Sequence, residues 1–360
     1  MTIQLPLAPG SMIGILGGGQ LGRMLALAAA RLGFDVVVLE READSPAGRA
    51  AAKLIVADYR DETALAELAS VTGVVTYEFE NVPASSVDWL AARGVEVAPG
   101  AMALAVAQDR FEEKSFLNAH GAPTVVFAPA DTPEEAHQAV LNIGVPALMK
   151  TRREGYDGKG QRWVEHLADA AAAFEALGGV PVIVEAAAEF VRELSVIAAR
   201  GRDGATAIYP LAENHHEHGI LRRSLAPARA TKVLNDQAER IAARVLAGLN
   251  YIGVIGIELF EMADGRLLVN EIAPRVHNTG HWTQDGCEVD QFEQHIRAIA
   301  GWPLGPTQAI AQVEMLNLLG DEADAWAKYA AEPETRIHLY GKRGSKPGRK
   351  MGHVNRVKSR

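Results

Sequence analysis

Four short apolar runs alternate with helix-forming segments at the start of the chain, and this pattern allows only a few folds. The runs cover residues 12–16, 36–39, 54–57 and 74–76. Continuous apolar runs of this length are typical of parallel strands buried on both faces. Between the first two runs, Leu21, Met24, Leu25, Ala28 and Leu32 recur at helical spacing. The pattern predicts a doubly wound α/β unit, in which ligands bind at the carboxyl ends of the strands.

A glycine-rich turn, GGGQLGRM, follows the first run and has glycines 17, 19 and 22 at the spacing G-x-G-x-x-G. Glycine lets the backbone N–H groups at a helix N-terminus approach an anion closely. Glu40 ends the next apolar run, where a dinucleotide-binding fold has its ribose-binding acid. The motif alone is a weak indication of NAD. An NAD-dependent oxidoreductase is therefore one alternative.

The composition is typical of a soluble globular enzyme, with 48% hydrophobic and 22% charged residues in a chain of 360. No apolar run approaches the ~20 residues that span a bilayer, and residues 1–11 lack signal-peptide features. We therefore expect a flexible N-terminal arm over 1–11 and no membrane partner. Cys287 is the single cysteine, which excludes an intramolecular disulfide and indicates the reducing cytoplasm.

The C-terminal tail, residues 336–360, carries nine Lys or Arg and no Asp or Glu, although the net charge of the chain is −9. Such a tail could bind nucleic acid or fold as a lid over an anionic small molecule. The segment RIHLYGK alternates like a strand, and Met351 and Val354 are apolar. These residues favour the folded lid.

A second glycine-rich segment, MKTRREGYDGKGQ, places Lys150 at the end of an apolar run and three glycines and Lys159 in the following loop. Glycine N–H groups and a lysine charge suit phosphate oxygens. The spacing G-x-x-x-x-G-K-[ST] is absent, which excludes a P-loop NTPase. An exposed hairpin loop is the alternative, since Asp-Gly is common in such turns.

Two glutamates, Glu258 and Glu271, lie in apolar strand-like runs joined by the turn signal Ala-Asp-Gly. If they face each other across a hairpin, they can bind Mg²⁺, which prefers a few carboxylates plus substrate oxygens. Asn270 adds a neutral oxygen. The alternative is that they face solvent on an edge strand, but a carboxylate in an apolar strand needs a cation or hydrogen-bond donors.

Histidines occur in two groups that could suggest metal binding. His277 and His281 have the spacing of a helical zinc pair, but Asn-Thr-Gly between them and Pro274 before them disfavour a helix. His215, His216 and His218 lack a carboxylate or cysteine frame. We therefore favour a polar loop that contacts an anionic or hydroxyl-rich ligand, and one ligand-binding histidine in the second group.

Taken together, seven motifs resemble those of ATP-grasp enzymes, and most closely of the N5-carboxyaminoimidazole ribonucleotide synthases of purine biosynthesis. They are GGGQLGRM, TYEFENV, QDRxxxK, GYDGKGQ, ENxH, NEIAPRxHNTGHWT and GRKMGH. The resemblance extends from about residue 12 to residue 353. It implies an α/β and α+β ATP-grasp fold with an N-terminal doubly wound, Rossmann-like domain over 12–120, a small central lid domain over 121–189 and a C-terminal domain over 190–360.

The resemblance also implies a role for each matching residue. The nucleotide would be held by Arg110, Lys150, Gly155, Tyr156, Asp157, Gly158, Lys159, Gly160, Gln161, Glu185, Ala186, Ala187, Ala188, Glu193, His216, Asn270 and Glu271. Glu258 and Glu271 would bind two Mg²⁺ ions. The ribonucleotide substrate would contact Gly18, Gly19, Gln20, Leu21, Glu80, Lys342, Arg349 and Lys350. The reacting centre would contain Tyr156, Asp157, Arg275, His277 and Asn278.

The implied reaction is carboxylation of the exocyclic amine of 5-aminoimidazole ribonucleotide with ATP and bicarbonate, through carboxyphosphate. The resemblance further implies a cytoplasmic homodimer that has small-molecule substrates and no nucleic-acid partner. In this interpretation the first glycine loop binds one monophosphate, and Glu40 is an ordinary strand-end glutamate. The alternatives with a related fold are a formate-dependent glycinamide ribonucleotide ligase and a biotin carboxylase.

Overall fold

The protein was analysed as a computed structural model that describes residues 5–155 and 158–358. Its first part is a parallel four-stranded sheet of order β3-β2-β1-β4 with helices packed against it. The elements are β1 (Met12–Leu16), α1 (Gln20–Arg31), β2 (Asp35–Glu40), β3 (Lys53–Val56), α2 (Glu62–Val71), β4 (Val74–Tyr77), α3 (Ala84–Ala91) and α4 (Ala101–Ala107). The sequence predicted all four strands to within one residue at each end, because each contains a short apolar run. The runs of β1, β2 and β4 are buried, whereas β3 buries only Ile55.

A second, antiparallel sheet of four strands has the order β5-β8-β6-β7 and follows helix α5. Two further helices pack on this sheet through alanines, Val140 and Phe174. The elements are α5 (Arg110–Ala119), β5 (Phe127–Ala130), α6 (Pro133–Ile143), β6 (Ala147–Thr151), β7 (Gln161–Val164), α7 (Ala170–Ala176) and β8 (Val182–Ala186). Lys150 and Gln161 pair in register across β6 and β7, so they flank the second glycine loop.

The third sheet has nine strands, of which eight follow the order β14-β13-β9-β11-β12-β15-β17-β16, with β10 paired to β9. Its elements are β9 (Phe190–Arg200), β10 (Thr206–Ile208), β11 (Ala212–Glu217), β12 (Ile220–Ala226), α8 (Lys232–Gly248), β13 (Gly253–Met262), β14 (Leu267–Ala273), α9 (Thr283–Gly286), α10 (Gln291–Ala300), β15 (Gln312–Leu319), α11 (Trp326–Ala330), β16 (Thr335–Leu339) and β17 (Lys350–Lys358). Helix α8 packs its buried face, including Leu234, Ile241 and Val245, against this sheet.

The basic tail is folded, as the alternation in RIHLYGK predicted. Strand β17 pairs antiparallel with β15 on one side, where Lys358 lies opposite Gln312. It pairs antiparallel with β16 on the other side, where Arg356 lies opposite Thr335. Val354 is fully buried, whereas the basic side chains lie mostly at the surface. The tail is therefore part of the large sheet. This agrees with the folded alternative and not with an extended nucleic-acid-binding tail.

Residues 5–11 form a packed segment, so the prediction of a flexible arm is wrong for this part. Leu7 is only 5% exposed, and its backbone N–H donates to Ala300 O at 2.9 Å. The indole N–H of Trp302 donates to Leu7 O at 2.8 Å. These contacts could not be predicted from local patterns, because the partners lie almost 300 residues away. In residues 5–155 and 158–358, no helix is long and apolar enough to cross a membrane.

Candidate active site

A cavity of about 610 Å³ lies where the three sheets meet, and most of its wall is polar. The first sheet contributes its carboxyl-terminal edge, the second sheet contributes β6 and the glycine loop, and the third contributes β9, β11, β13 and β14. Predicted site residues on the wall are Gln20, Leu21, Glu80, Arg110, Lys150, Gly155, Gly158, Gln161, Glu193, His216, Glu258, Asn270, Glu271, Arg275, His277, Asn278 and Lys350. One cavity thus brings together residues that are up to 330 positions apart.

Lys150 is held at the cavity by a buried carboxylate. Its Nζ donates to Glu185 Oε2 at 2.8 Å, and Lys114 Nζ lies 3.5 Å from Glu185 Oε1. Burial opposes ionisation of Glu185, but Lys150 and Lys114 outweigh it and lower the pKa of that carboxyl. The hydrogen bond to Glu185 fixes the position of the Lys150 ammonium, so it can contact an anion without reorganising.

The two predicted metal ligands face each other. Glu258 and Glu271 are directly paired across β13 and β14, as the hairpin interpretation required. Burial, then the charge of Glu271, raise the pKa of Glu258 to about 7. Arg110 Nη1 donates to Glu271 Oε2 at 3.1 Å, and Arg110 lowers the pKa of Glu271 although burial opposes it. Two opposed carboxylates of this kind leave a place for a cation.

Glu193 and His216 form a second polar pair on the nucleotide side. His216 Nδ1 is hydrogen-bonded to Glu193 Oε2, on neighbouring strands β11 and β9. Burial opposes protonation of His216, but Glu193 and Glu258 raise its pKa. The three-histidine metal site considered in the sequence does not form. Among residues 5–155 and 158–358 there is no cluster of three or more His, Cys, Asp or Glu side chains that could hold a metal.

Arg275 and Glu80 form an ion pair on the opposite wall, through Arg275 Nε and Glu80 Oε2. Although burial opposes it, Arg275 lowers the pKa of Glu80 to about 2. His277 Nε2 lies 3.7 Å from Glu258 Oε1, and burial together with Arg275 lowers the pKa of His277 well below its usual value. His277 is therefore neutral near pH 7 and can act as a hydrogen-bond donor or acceptor.

Asn278 is half-buried, and its amide nitrogen and oxygen are buried atoms with no hydrogen-bond partner in the described parts of the chain. Because buried polar groups are nearly always hydrogen-bonded, an unpaired amide on a cavity wall indicates a ligand that supplies both partners. The residues after it form a short 3₁₀ turn, Asn278–Gly280, rather than a helix. Thr279 Oγ1 lies 2.9 Å from His277 Nδ1.

His281, by contrast, points away from the cavity. Its Nδ1 is 3.0 Å from Gln291 Nε2, and its ring packs on Phe292 and His353. The 3₁₀ turn separates it from His277, so the helical zinc pair does not form. This agrees with the preference for a ligand-binding loop.

Two carboxylates occupy part of the first glycine loop, which the sequence did not predict. Glu78 Oε1 accepts from Gly19 N, and Glu78 Oε2 accepts from Gly22 N at 2.8 Å. Glu40 Oε2 accepts from Gly18 N at 2.6 Å and from Tyr59 OH at 2.8 Å. The description of Glu40 as an ordinary strand-end glutamate is therefore wrong. Its bonds to the loop and to Tyr59 also leave it unsuited to a ribose hydroxyl.

These carboxylates decide which backbone groups remain for a ligand. Among the described residues, no acceptor contacts the backbone N–H of Gln20 or Leu21, which line the cavity at the first turn of α1. Gly17 has φ +108°, and a Cβ at Gly19 would lie 2.4 Å from Glu78 Oε1. Glycine is therefore required here to let Glu78 approach the loop.

Replacing Glu78 with alanine should lower the free energy of unfolding by about 1–3 kcal/mol, because two N–H groups of the α1 terminus lose their acceptor. Urea denaturation followed by circular dichroism measures this change. The control is Glu42→Ala, an exposed glutamate near the same loop, which should change the free energy by less than about 0.5 kcal/mol. Equal effects of the two substitutions would contradict a capping role for Glu78.

Several predicted residues are not part of the cavity wall, and their roles stay predictions. They are Gly18, Gly19, Lys159, Gly160, Glu185, Ala186, Ala187, Ala188, Lys342 and Arg349. Arg349 Nη1 donates to the carbonyls of Arg343 and Gly344, both at 2.8 Å, and so orders the turn before β17. Lys342 Nζ lies 5.8 Å from the ring centre of Tyr340. Tyr156 and Asp157 lie outside the described residues.

Seven residues line the cavity without a predicted role, namely Glu78, Phe79, Asn81, Leu148, Gly219, Leu221 and Phe260. Glu113 and Lys114 also had no predicted role, and both are buried. The available signal was the pair of adjacent charged residues, Glu113 and Lys114, on the core-facing side of an amphipathic helix. Such residues are almost never buried unless they are paired.

Comparison with known proteins agrees with this geometry. The ATP-grasp domain family matches residues 115–292, the ribonucleotide synthetase preATP-grasp domain matches residues 11–108, and the phosphoribosylaminoimidazole carboxylase C-terminal domain matches residues 314–360. Fold and site together define the chain as an ATP-grasp ligase. An NAD-dependent oxidoreductase is thereby excluded.

Relatives over the full length narrow the class. N5-carboxyaminoimidazole ribonucleotide synthase of Brucella melitensis is 49% identical, over 98% of each chain. A solved N5-carboxyaminoimidazole ribonucleotide synthetase in an ADP complex superposes with TM-score 0.94 and 40% identity, over 98% of this chain and 94% of the other. The Aspergillus clavatus enzyme in complex with ADP and 5-aminoimidazole ribonucleotide superposes with TM-score 0.91 and 33% identity, over 98% of this chain and 94% of the other. The chain belongs to the N5-carboxyaminoimidazole ribonucleotide synthase family.

Proposed function

We propose that this chain carboxylates the exocyclic amine of 5-aminoimidazole ribonucleotide, consuming ATP and bicarbonate and releasing ADP and phosphate. One observation carries the proposal. The opposed pair Glu258 and Glu271 shares a single cavity with Lys150 on one side and with Arg275 and Asn278 on the other. That arrangement suits phosphoryl transfer next to a second, polar substrate. The relative solved with ADP and 5-aminoimidazole ribonucleotide supports the same pair of ligands.

Mg²⁺ fits the nucleotide side of the cavity. The donor set is two carboxylates and a neutral amide, from Glu258, Glu271 and Asn270, which matches the preference of Mg²⁺ for a few protein oxygens plus phosphates. Burial, then the charge of Glu271, raise the pKa of Glu258, so a cation between the two carboxylates would favour the ionised form of Glu258. Mg²⁺ would neutralise charge on the β- and γ-phosphates, and the number of ions, predicted as two, stays a prediction.

The remaining nucleotide contacts come from both sheets that flank the cavity. Lys150 and Arg110 supply positive charge toward the phosphates, and Gly155, Gly158 and Gln161 supply the glycine loop. Glu193 and His216 suit hydroxyl groups, since the carboxylate can accept a hydrogen bond and the imidazole Nε2–H can donate one. Glu185 and residues 186–188 form the strand end that precedes β9, where the adenine is proposed to contact the backbone.

The ribonucleotide is proposed to lie against the first sheet. The backbone N–H groups of Gln20 and Leu21 at the α1 N-terminus suit its 5′-phosphate, with Lys350 from the tail adding charge. Glu78 and Glu40 hold Gly18, Gly19 and Gly22, so Gly18 and Gly19 act through loop geometry in this proposal. The unpaired amide of Asn278 suits the amine and ring nitrogen of the imidazole.

The chemistry has two stages. A bicarbonate oxygen attacks the γ-phosphorus, the bond to the ADP oxygen breaks, and carboxyphosphate forms. Its C–O bond then breaks to give CO₂ and phosphate, and the amine nitrogen bonds to the carbon and loses a proton. Lys150 and Arg275 stabilise the developing charge without reorganisation. Carboxyphosphate hydrolyses in water, so closure of the glycine loop over the cavity protects it.

The proposal includes a cytoplasmic location and a homodimer. Cys287, the single cysteine, is buried and unpaired, which suits a reducing compartment. Homodimerisation rests on family membership and is measured by light scattering.

The function is tested by measuring ADP release by the purified chain with Mg-ATP. ADP should form only when 5-aminoimidazole ribonucleotide and bicarbonate are both present, and the product should lose ¹⁴C from labelled bicarbonate when acidified, as a carbamate does. Turnover with formate and glycinamide ribonucleotide, or with biotin, would instead support the related ligases and overturn the proposal.

A further inference from the structure

Helix α5 presents a charged face to the protein interior. Arg110, Glu113 and Lys114 are separated by three and four positions, so they lie on one side of the helix. Glu113 is 3% exposed and Lys114 is 1% exposed. Burial of such groups is costly unless each meets a partner. Their partners therefore show what this face does.

All three side chains contact the same short part of β14. Glu113 Oε1 accepts from Ile272 N at 2.7 Å, and Lys114 Nζ donates to Asn270 O at 2.9 Å. These backbone groups flank Glu271, whose carboxylate contacts Arg110. The helix thus holds the strand on both sides of the proposed metal ligand.

The strand is irregular at this point, which explains why it needs such support. Glu258 pairs with Glu271 and Leu259 pairs with Val269, so Asn270 is an extra residue in β14. A bulge of this kind leaves a residue outside the ladder and re-aims side chains. Successive side chains of a regular strand point to opposite faces, yet Asn270 and Glu271 both line the cavity.

We propose that Glu113 and Lys114 are positioning residues that hold this bulge, so that Asn270 and Glu271 both face the Mg²⁺-bound nucleotide. The inference rests on the proposed function, because it assumes a metal at Glu258 and Glu271. Neither Glu113 nor Lys114 is on the described cavity wall, so both act through β14. Lys114 also approaches Glu185, which makes Glu113 the more selective position to test.

The test compares Glu113→Leu with Glu113→Gln, which keeps an oxygen acceptor for Ile272 N, and adds Lys114→Met. Mn²⁺ serves as the probe, and its free concentration is measured by electron paramagnetic resonance in the presence of saturating ADP. Glu113→Leu and Lys114→Met should weaken Mn²⁺ binding about 10- to 100-fold, the usual effect of losing a group that orients a metal ligand. The Mn²⁺ affinity of Glu113→Gln should stay within about threefold of that of the wild type.

ADP binding in EDTA, measured by calorimetry, separates the metal from the nucleotide. Glu113→Leu should bind ADP without metal with an affinity within about threefold of the wild type, since Glu113 supports only β14 and the proposed metal ligand on it. Unchanged Mn²⁺ affinity in Glu113→Leu or in Lys114→Met, with circular dichroism showing a folded chain, would overturn the inference. Equal loss in Glu113→Gln and Glu113→Leu would overturn it too. A wild type that binds no Mn²⁺ with ADP would instead refute the proposed metal site itself.

Discussion

Replacing Glu271 with glutamine should lower ATP turnover about 10²- to 10³-fold while leaving the fold intact. The substitution removes one of two opposed carboxylates that are proposed to hold Mg²⁺, and metal-ion stabilisation of phosphoryl charge is worth several kcal/mol. The fold survives because a glutamine oxygen still accepts from Arg110, and because the repulsion between Glu271 and Glu258 is relieved. ADP release is measured at saturating Mg-ATP, together with the thermal midpoint.

The matched control for this substitution is Glu261→Gln on the facing strand β13. Glu261 pairs with Arg192 and lies outside the cavity wall, and Arg192 keeps Glu213 as a partner. We expect turnover within about threefold of the wild type. Near-normal activity of Glu271→Gln would refute the metal assignment, as would an equal loss in both variants.

Replacing Arg275 with methionine should reduce both turnover and stability. Arg275 lines the cavity and supplies positive charge where the transition state gains negative charge, so kcat should fall about 10²- to 10³-fold. Its loss also leaves the half-buried carboxylate of Glu80 without its partner, which should cost about 2–3 kcal/mol of unfolding free energy at pH 7. Steady-state kinetics and urea denaturation measure the two effects.

The loss of stability should depend on pH with a defined sign. The pKa of Glu80 is about 2 in the folded wild type, against an ordinary value of 4.5. The ion pair therefore stabilises the fold fully above about pH 4.5, and its contribution disappears as the pH falls toward 2. The difference in unfolding free energy between the wild type and Arg275→Met should therefore become smaller as the pH falls from about 4.5 toward 2.

A double variant, Glu80→Gln with Arg275→Met, separates the two roles. It removes the unpaired charge, so stability at pH 7 should recover by about 2 kcal/mol or more relative to Arg275→Met alone. Its turnover should remain low, because the positive charge at the cavity is still missing. A pH-independent loss of stability, or recovery of turnover in the double variant, would contradict this account.

Much of the fold could be predicted from local sequence patterns. The four parallel strands of the first sheet follow from apolar runs, and the strand β16 follows from alternation in RIHLYGK. The hairpin of β13 and β14, with its two opposed glutamates, follows from two apolar runs and a turn signal. These elements were predictable because periodicity and turn chemistry act over a few residues.

Support for the site was not predictable, because it depends on contacts between distant parts of the chain. Glu78 reaches the first glycine loop from β4, and Glu113 and Lys114 reach β14 from α5. The packing of residues 5–11 on α10 is of the same kind. A charged residue on the core-facing side of a helix indicates that it is paired, but only the folded chain shows which group is its partner.

The sequence by itself determined the class of this protein, because seven local motifs, in order along the chain, resemble those of ATP-grasp enzymes. Only the tertiary structure decided which groups are available to a ligand. It engages Gly18, Gly19 and Gly22 with carboxylates, exposes the N–H groups of Gln20 and Leu21, and turns Asn270 and Glu271 to one side. The physical reason is that each buried donor and acceptor must be satisfied, and the packed chain determines which partners are within reach.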